Sequence, residues 1–208
     1  MPAERPLLLA TDADATHALA KGLDAELHAL PSPSRPEVFE GWRAEVLTGA
    51  PRRAIVVAPW RTEVEADRLD ALDLERWKTR FELPFLLWCF ALGAAGRRCA
   101  DGGAIVALAQ TPAALDAPGL TPELAIGDGV LSLVRSVAAA EGARGVRANL
   151  VTTPIGLVGP DVIAPTPPLA GFPGRVESHL IGAVRMLLSP DAAGLTGRAV
   201  SADGGRSL

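Results

Sequence analysis

Short apolar runs recur along the chain at intervals that a helix would fill. They are "PLLLAT" from Pro6, "AIVVA" from Ala54, "GGAIVALAQ" from Gly102, "VRANLV" from Val146 and "GRAVSA" from Gly197. A strand with one wet face alternates apolar and polar side chains, whereas a strand that is apolar throughout has to be covered on both faces. Between the runs lie segments with helical spacing: Leu19 and Leu23, then Val38, Trp42 and Val46, then the stretches 67–97 and 121–143, and finally "RVESHLIGAVRMLL". "ELHAL" from Glu26 supplies a further short strand. Strands of this kind in alternation with helices are satisfied by a parallel sheet lying between two helical layers.

The pattern thus predicts an α/β protein with a Rossmann-like, doubly wound parallel sheet, three-layer α/β/α, in one domain over residues 1–208. Pro84 lies inside the long helical stretch and, lacking an N–H, is expected to kink it. The helix of 121–143 is expected to start with Thr121 as N-cap, Pro122 at its first position and Glu123 in its first turn. The proline-rich stretch "IGLVGPDVIAPTPPLAGFPG" reads as a loop.

Several function classes are disfavoured by bulk properties. The chain has 208 residues, 49% hydrophobic and 21% charged, with a formal net charge of -4. That is a folded composition, and one without the clustered basic side chains that nucleic-acid binding needs. Only Lys21 and Lys78 are lysines, and the arginines occur in pairs at most, as at Arg52 and Arg53 or Arg97 and Arg98. Cys89 and Cys99 lie outside any zinc-ligand spacing, and His17, His28 and His179 are isolated, so no metal centre is expected. "LPFLLWCFALGAA" is too short to cross a bilayer, which takes about 20 residues. No secretion leader is apparent in "MPAERPLLLATDAD", and a cytoplasmic protein with free thiols is expected.

The second half of the chain carries more specific signals. Arg135, Ser136, Val137 and Ala138 are followed by Gly145, Val146, Arg147 and Asn149, and the chain closes with Thr196, Gly197, Asp203, Gly204 and Gly205. In this order and spacing the residues resemble the short-chain dehydrogenase/reductase family, which carries R-S-L-A…G-I-R-V-N after its catalytic tyrosine and ends in T-G-x-x-x-x-x-D-G-G. The resemblance covers residues 100–208 by motif and the first hundred by topology. It implies a nicotinamide-dependent oxidoreductase fold. The first and fourth strands of that fold would lie closer in sequence here than is usual, which implies that one strand-helix unit is lacking on the adenine-binding side.

The same resemblance implies four catalytic positions, and the chain departs from all of them. The family tyrosine and lysine fall on Glu123 and Gly127, the serine on Gln110 and the asparagine on Pro84; the sequence contains no tyrosine at all. A glutamate with its ordinary pKa near 4 cannot donate a proton at neutral pH unless burial raises it by several units. The glycine-rich turn that would receive the pyrophosphate falls on Thr11, Asp12, Thr16 and Ala18, with no glycine. A Cβ blocks the approach of phosphate to backbone amides, and Asp12 and Asp14 add like charge, worth about 4 kcal/mol of repulsion at close range. Trp60 and Arg61 end the strand that begins at Ala54, where Trp60 either fills the vacated coenzyme pocket or caps the strand at the surface. The sequence therefore predicts a degenerate member with no catalytic, cofactor-binding or metal-binding residues and no cofactor. A working enzyme with relocated chemistry on Glu123 and Gln110 is the alternative; a small-ligand binder is a third.

The segment "PELAIGDGVLSLVRSVAAAE" is apolar nearly all round, with Asp128 and Arg135 alone charged in its middle, and the helix before it carries Phe81, Phe85, Trp88 and Phe90. Such helices need cover on two sides. The resemblance implies that they pair subunits, so a homo- or hetero-oligomer through helices around 74–97 and 121–143 is expected. In it the chain would act as a non-catalytic subunit, with an active paralogue as partner, and Ala139, Ala140 and Ala143 would admit a close helix.

Overall fold

The computed structural model describes residues 4–60, 66–111, 119–155, 169–170 and 175–205. Its strands are β1 (Leu7–Ala10), β2 (Glu26–Ala29), β3 (Arg52–Ala58), β4 (Cys99–Gln110), β5 (Arg147–Thr153) and β6 (Ala199–Ser201). The helices are α1 (Asp14–Leu23), α2 (Phe39–Thr48), α3 (Leu74–Trp77), α4 (Leu83–Arg98), α5 (Thr121–Glu141), α6 (Val176–His179) and α7 (Ile181–Leu188). The six strands form one sheet in the order β2-β1-β3-β4-β5-β6, and every pairing is parallel.

Alternate side chains along each strand divide the core in two, as the pleat requires. Leu7, Leu9, Ile55, Val57, Ile105 and Leu150 join Phe39, Leu87, Trp88 and Val130 beneath α2, α4 and α5. Leu8, Val56, Val106, Leu108 and Val151 join Leu19, Leu180, Val184 and Leu187 beneath α1, α6 and α7. The strands read as apolar throughout because both faces are covered. The sheet ends at β2 on one side, and a single helix, α2, carries the chain from β2 past β1 to β3. That is the sheet with one strand-helix unit fewer that was expected.

The motif residues of the second half hold this scaffold together. Arg147 donates to the carbonyls of Leu187 at 2.9 Å and Ser189 at 3.0 Å, capping the end of α7. Asn149 is fully buried; its amide donates to the Leu195 carbonyl at 2.8 Å and accepts from the Arg198 N–H at 3.1 Å. Gly145 takes the left-handed conformation, φ +71°, that the turn into β5 demands. Asp203 accepts from the Gly205 N–H at 3.0 Å and closes the last turn.

Three local expectations are corrected. Leu120, not Thr121, is the N-cap of α5, and no side chain caps that end. The long helical stretch starts at Leu74, because residues 69–71 form only a 3-10 turn. Pro84, expected inside the long helix, lies instead at the second position of α4, directly after a π turn over Lys78–Glu82. Pro84 has no N–H to give, and the Leu83 N–H reaches back to the Lys78 carbonyl, five residues away, so the helix continues with one residue extra.

Candidate functional site

In an open doubly wound sheet the ligand crevice lies at the carboxyl ends of the strands where the strand order reverses, here beside β1 and β3. The turn from β1 into α1 is closed by its own side chains. Thr16 is fully buried; its hydroxyl accepts from the Ala13 N–H at 3.1 Å and lies 2.7 Å from the Ala13 carbonyl. The backbone N–H groups of Thr16 and His17 both donate to the Ala13 carbonyl at 3.0 Å. His17 pairs with Asp12 at 2.7 Å on the exposed rim. The Thr16 hydroxyl and the first bonds of the helix thus tie the start of α1 to the turn after β1.

At the end of β3 the Trp60 side chain is 3% exposed and belongs to the apolar cluster formed with Ala10, Leu19, Ala58 and Ile155. Its position is internal rather than a strand-end cap at the surface. Arg61 lies outside the described residues, as do residues 156–168 of the proline-rich stretch. The other strand ends are stitched to one another. Thr11 N–H donates to the Ala58 carbonyl at 3.3 Å, Thr111 N–H to the Thr153 carbonyl at 2.9 Å, and the Gln110 side-chain amide to the Ile155 carbonyl at 3.2 Å.

Glu123 sits in the first turn of α5 with 3% of its surface exposed, and its carboxylate meets Arg80 from the π turn. The two bonds are Arg80 Nη2 to Glu123 Oε2 at 2.8 Å and Nε to Oε1 at 3.3 Å. The same guanidinium donates to Asp67 at 2.8 Å and to the Gly119 carbonyl at 3.4 Å, while Arg76 pairs with Asp67 at 2.9 Å. Gly119 has φ +85°, and a Cβ there would lie 2.9 Å from the Asp67 N, so only glycine lets the two backbones meet through the Asp67 N–H to Gly119 carbonyl bond. Among the described residues two guanidinium groups and two carboxylates meet in this cluster, with the fork geometry that favours arginine.

One turn along α5 stands Gly127, on which a Cβ would lie 2.3 Å from the Thr111 methyl group. Thr111 therefore occupies the space into which a side chain at 127 would start. Pro84 is buried at the start of α4. Gln110 and Glu123, the pair considered for relocated chemistry, bond to different groups, Ile155 and Arg80. The sequence left Arg80 and Thr111 unremarked. For Arg80 no local signal existed, because it lies among the charged residues Glu75, Arg76, Lys78 and Glu82.

The architecture has close counterparts among solved structures. A short-chain dehydrogenase/reductase from Serratia marcescens matches with a TM-score of 0.75 over 98% of either chain, at 17% identity. The chain has the short-chain dehydrogenase/reductase fold. A blue fluorescent protein from a metagenomic library, solved in complex with NADPH, matches with a TM-score of 0.70 and 21% identity over 97% of this chain and 87% of its own. No family model and no curated protein matches the sequence. Glu123, Gly127 and the turn after β1, singled out from the sequence, carry the ion pair, the Thr111 contact and the Thr16 bonds just described. Among the described residues, no helix is long and apolar enough to cross a membrane, and no cluster of potential metal ligands occurs.

The two long helices differ from expectation in one respect. The face of α5 that is turned outward carries Asp128, Ser132, Arg135, Ser136, Ala139 and Ala140, all exposed, while Leu131, Leu133 and Val137 pack on the core. On α4 the large apolar side chain most open to water is Leu86, at 39%. Phe85 lies directly on Gly129, where a Cβ would come within 2.5 Å of its ring, so the apolar surfaces of the two helices are largely spent on each other. The outer face is small and polar rather than apolar.

Proposed function

We propose that this chain is a degenerate member of the short-chain dehydrogenase/reductase family that works as a non-catalytic subunit. It keeps the fold, binds no nicotinamide coenzyme, and assembles through α4 and α5 with chains of the same fold, among them an active paralogue that performs the chemistry. The observation that carries this reading is the buried Arg80–Glu123 pair: a carboxylate held by two guanidinium bonds replaces the family's proton donor. Thr111 on Gly127, the Thr16 hydroxyl in the first turn and buried Trp60 support it.

Titration with NADH and NADPH, followed by coenzyme fluorescence and by calorimetry, is expected to show no saturable binding. A dissociation constant of about 10 μM or tighter for either coenzyme would overturn the proposal.

A further inference from the structure

The amino ends of the strands, opposite the crevice, hold a second buried arginine. Arg98, the last residue of α4, is 8% exposed, and its Nη1 donates to the Val46 carbonyl near the end of α2 at 2.7 Å. The guanidinium rests against Gly49, where a Cβ would come within 1.9 Å of Nη2 and 2.1 Å of Nη1. Arg80 has its carboxylates; Arg98 forms no ion pair among the described residues, and its Nε is sealed from solvent without an acceptor. Arg52, the first residue of β3, stands beside it, since Arg52 is the register partner of Cys99 on β4. The Arg52 Nη2 pairs with Glu26 and its Nη1 donates to the Arg5 carbonyl at 3.4 Å. Its Nε is also buried and unmet, with Glu4 Oε1 at 4.0 Å, beyond hydrogen-bond reach.

We propose that Arg98 and Arg52 together form a binding site for a small oxyanion of the phosphate type, which accepts from the Nε edges of both guanidinium groups. A buried cation is ordinarily paired, and a buried N–H without an acceptor marks a missing partner. One such group could be an accident of packing; two on neighbouring guanidinium groups are met by a single anion with several acceptor oxygens. The positive charge is in excess where Arg98 lies: burial first, and then the Arg52 charge, push its pKa down, with Glu26 acting in the opposite sense. Glu26 is the competitor, because it already takes Arg52 Nη2 and repels an incoming anion. Glu4, Glu26 and Gly49 are exposed around the pair, so an anion arrives from solvent beside them. The site lies at the opposite end of the sheet from the crevice and does not depend on whether the chain binds coenzyme.

Calorimetric titration of the full chain with inorganic phosphate, at constant ionic strength in chloride, tests it. One saturable site is expected, with a dissociation constant of about 1 mM or tighter. Arg98→Lys keeps the charge and loses the fork, and Gly49→Ala puts a methyl group where the guanidinium rests; each is expected to weaken binding at least about tenfold. Glu26→Gln removes the competing carboxylate at an exposed position that leaves folding intact, and is expected to tighten binding about threefold or more. Methyl phosphate that binds as well as inorganic phosphate would assign the site to the end of a phosphate monoester, and binding of inorganic phosphate alone would assign it to the free anion. Absence of saturable binding by the wild type would overturn the inference, with solvent then serving both Nε groups. Binding that Arg98→Lys, Gly49→Ala and Glu26→Gln all leave unchanged would overturn it as well, since the anion would then sit elsewhere on the chain.

Discussion

Glu123 is defined by Arg80. An isolated carboxylate at the start of a helix gains a few tenths of a kcal/mol from the backbone dipole, but this one is buried, and burial without a partner would cost far more than that gain. The guanidinium of Arg80 supplies two bonds to it and also donates to Asp67 and Gly119. Removal of one partner leaves the other charged, buried and under-satisfied. Glu123→Gln is therefore expected to lower stability in urea unfolding by about 3 kcal/mol. The double variant Glu123→Leu/Arg80→Met removes both charges and is expected to cost less than Arg80→Met alone, which takes both Arg80 bonds from the buried Glu123 carboxylate. Additive losses in that cycle would show that the two side chains do not act as a pair.

At the scale of elements, the absent strand-helix unit leaves β2 with an open edge, and such an edge invites pairing with other chains. The Leu30 N–H donates to the Ala10 carbonyl, so the alternation of a parallel strand turns the neighbouring Ala29 carbonyl away from β1. The Trp42 indole N–H, from α2, donates to that carbonyl at 2.9 Å, with the His28 ring 6.1 Å away between centroids. A helix thus serves a strand-edge acceptor that a further strand would otherwise have met. Trp42→Phe keeps the aromatic packing and loses the donor. It is expected to destabilise the fold by about 1 kcal/mol and to raise light scattering in concentrated solution. Unchanged stability and scattering would mean that solvent serves Ala29 equally well. The π turn before α4 belongs to the same scale: a residue inserted ahead of Pro84 rotates Arg80 and Phe81 relative to a regular helix, and Arg80 thereby faces α5.

For the molecule as a whole, the high-pH limb of stability offers a test of the buried core. Cys99 is fully buried, and burial pushes its thiol up to about 11, with the nearby Arg144 guanidinium acting in the opposite sense. The unfolded chain ionises this thiol near its ordinary value, so between the two values the unfolded state binds fewer protons and gains stability as pH rises. The contribution is intact below about pH 9 and is lost on approaching pH 11, by about 2 kcal/mol. The chain has no tyrosine and only two lysines, so few other side chains titrate in that window. Cys99→Ala should flatten the decline measured by urea unfolding at pH 8 and 10.5, leaving only a smaller contribution from Cys89, whose thiol burial also raises. An equally steep decline in the variant would place its cause elsewhere. The sequence by itself determined the layered α/β architecture, since apolar strands alternating with amphipathic helices have few other ways to bury their faces, and the motifs at Arg147, Asn149 and Asp203 marked the scaffold. It also showed that the chain has no tyrosine, because an absent residue type is visible without coordinates. Only the tertiary structure decided what surrounds Glu123 and Gly127. Arg80 and Glu123 are separated by 43 positions, Thr111 and Gly127 by 16, and contacts at such distances follow from how helices settle on the sheet rather than from any local pattern. The same holds for the outer face of α5, where the side chains left to water were fixed by the packing of α4 against it.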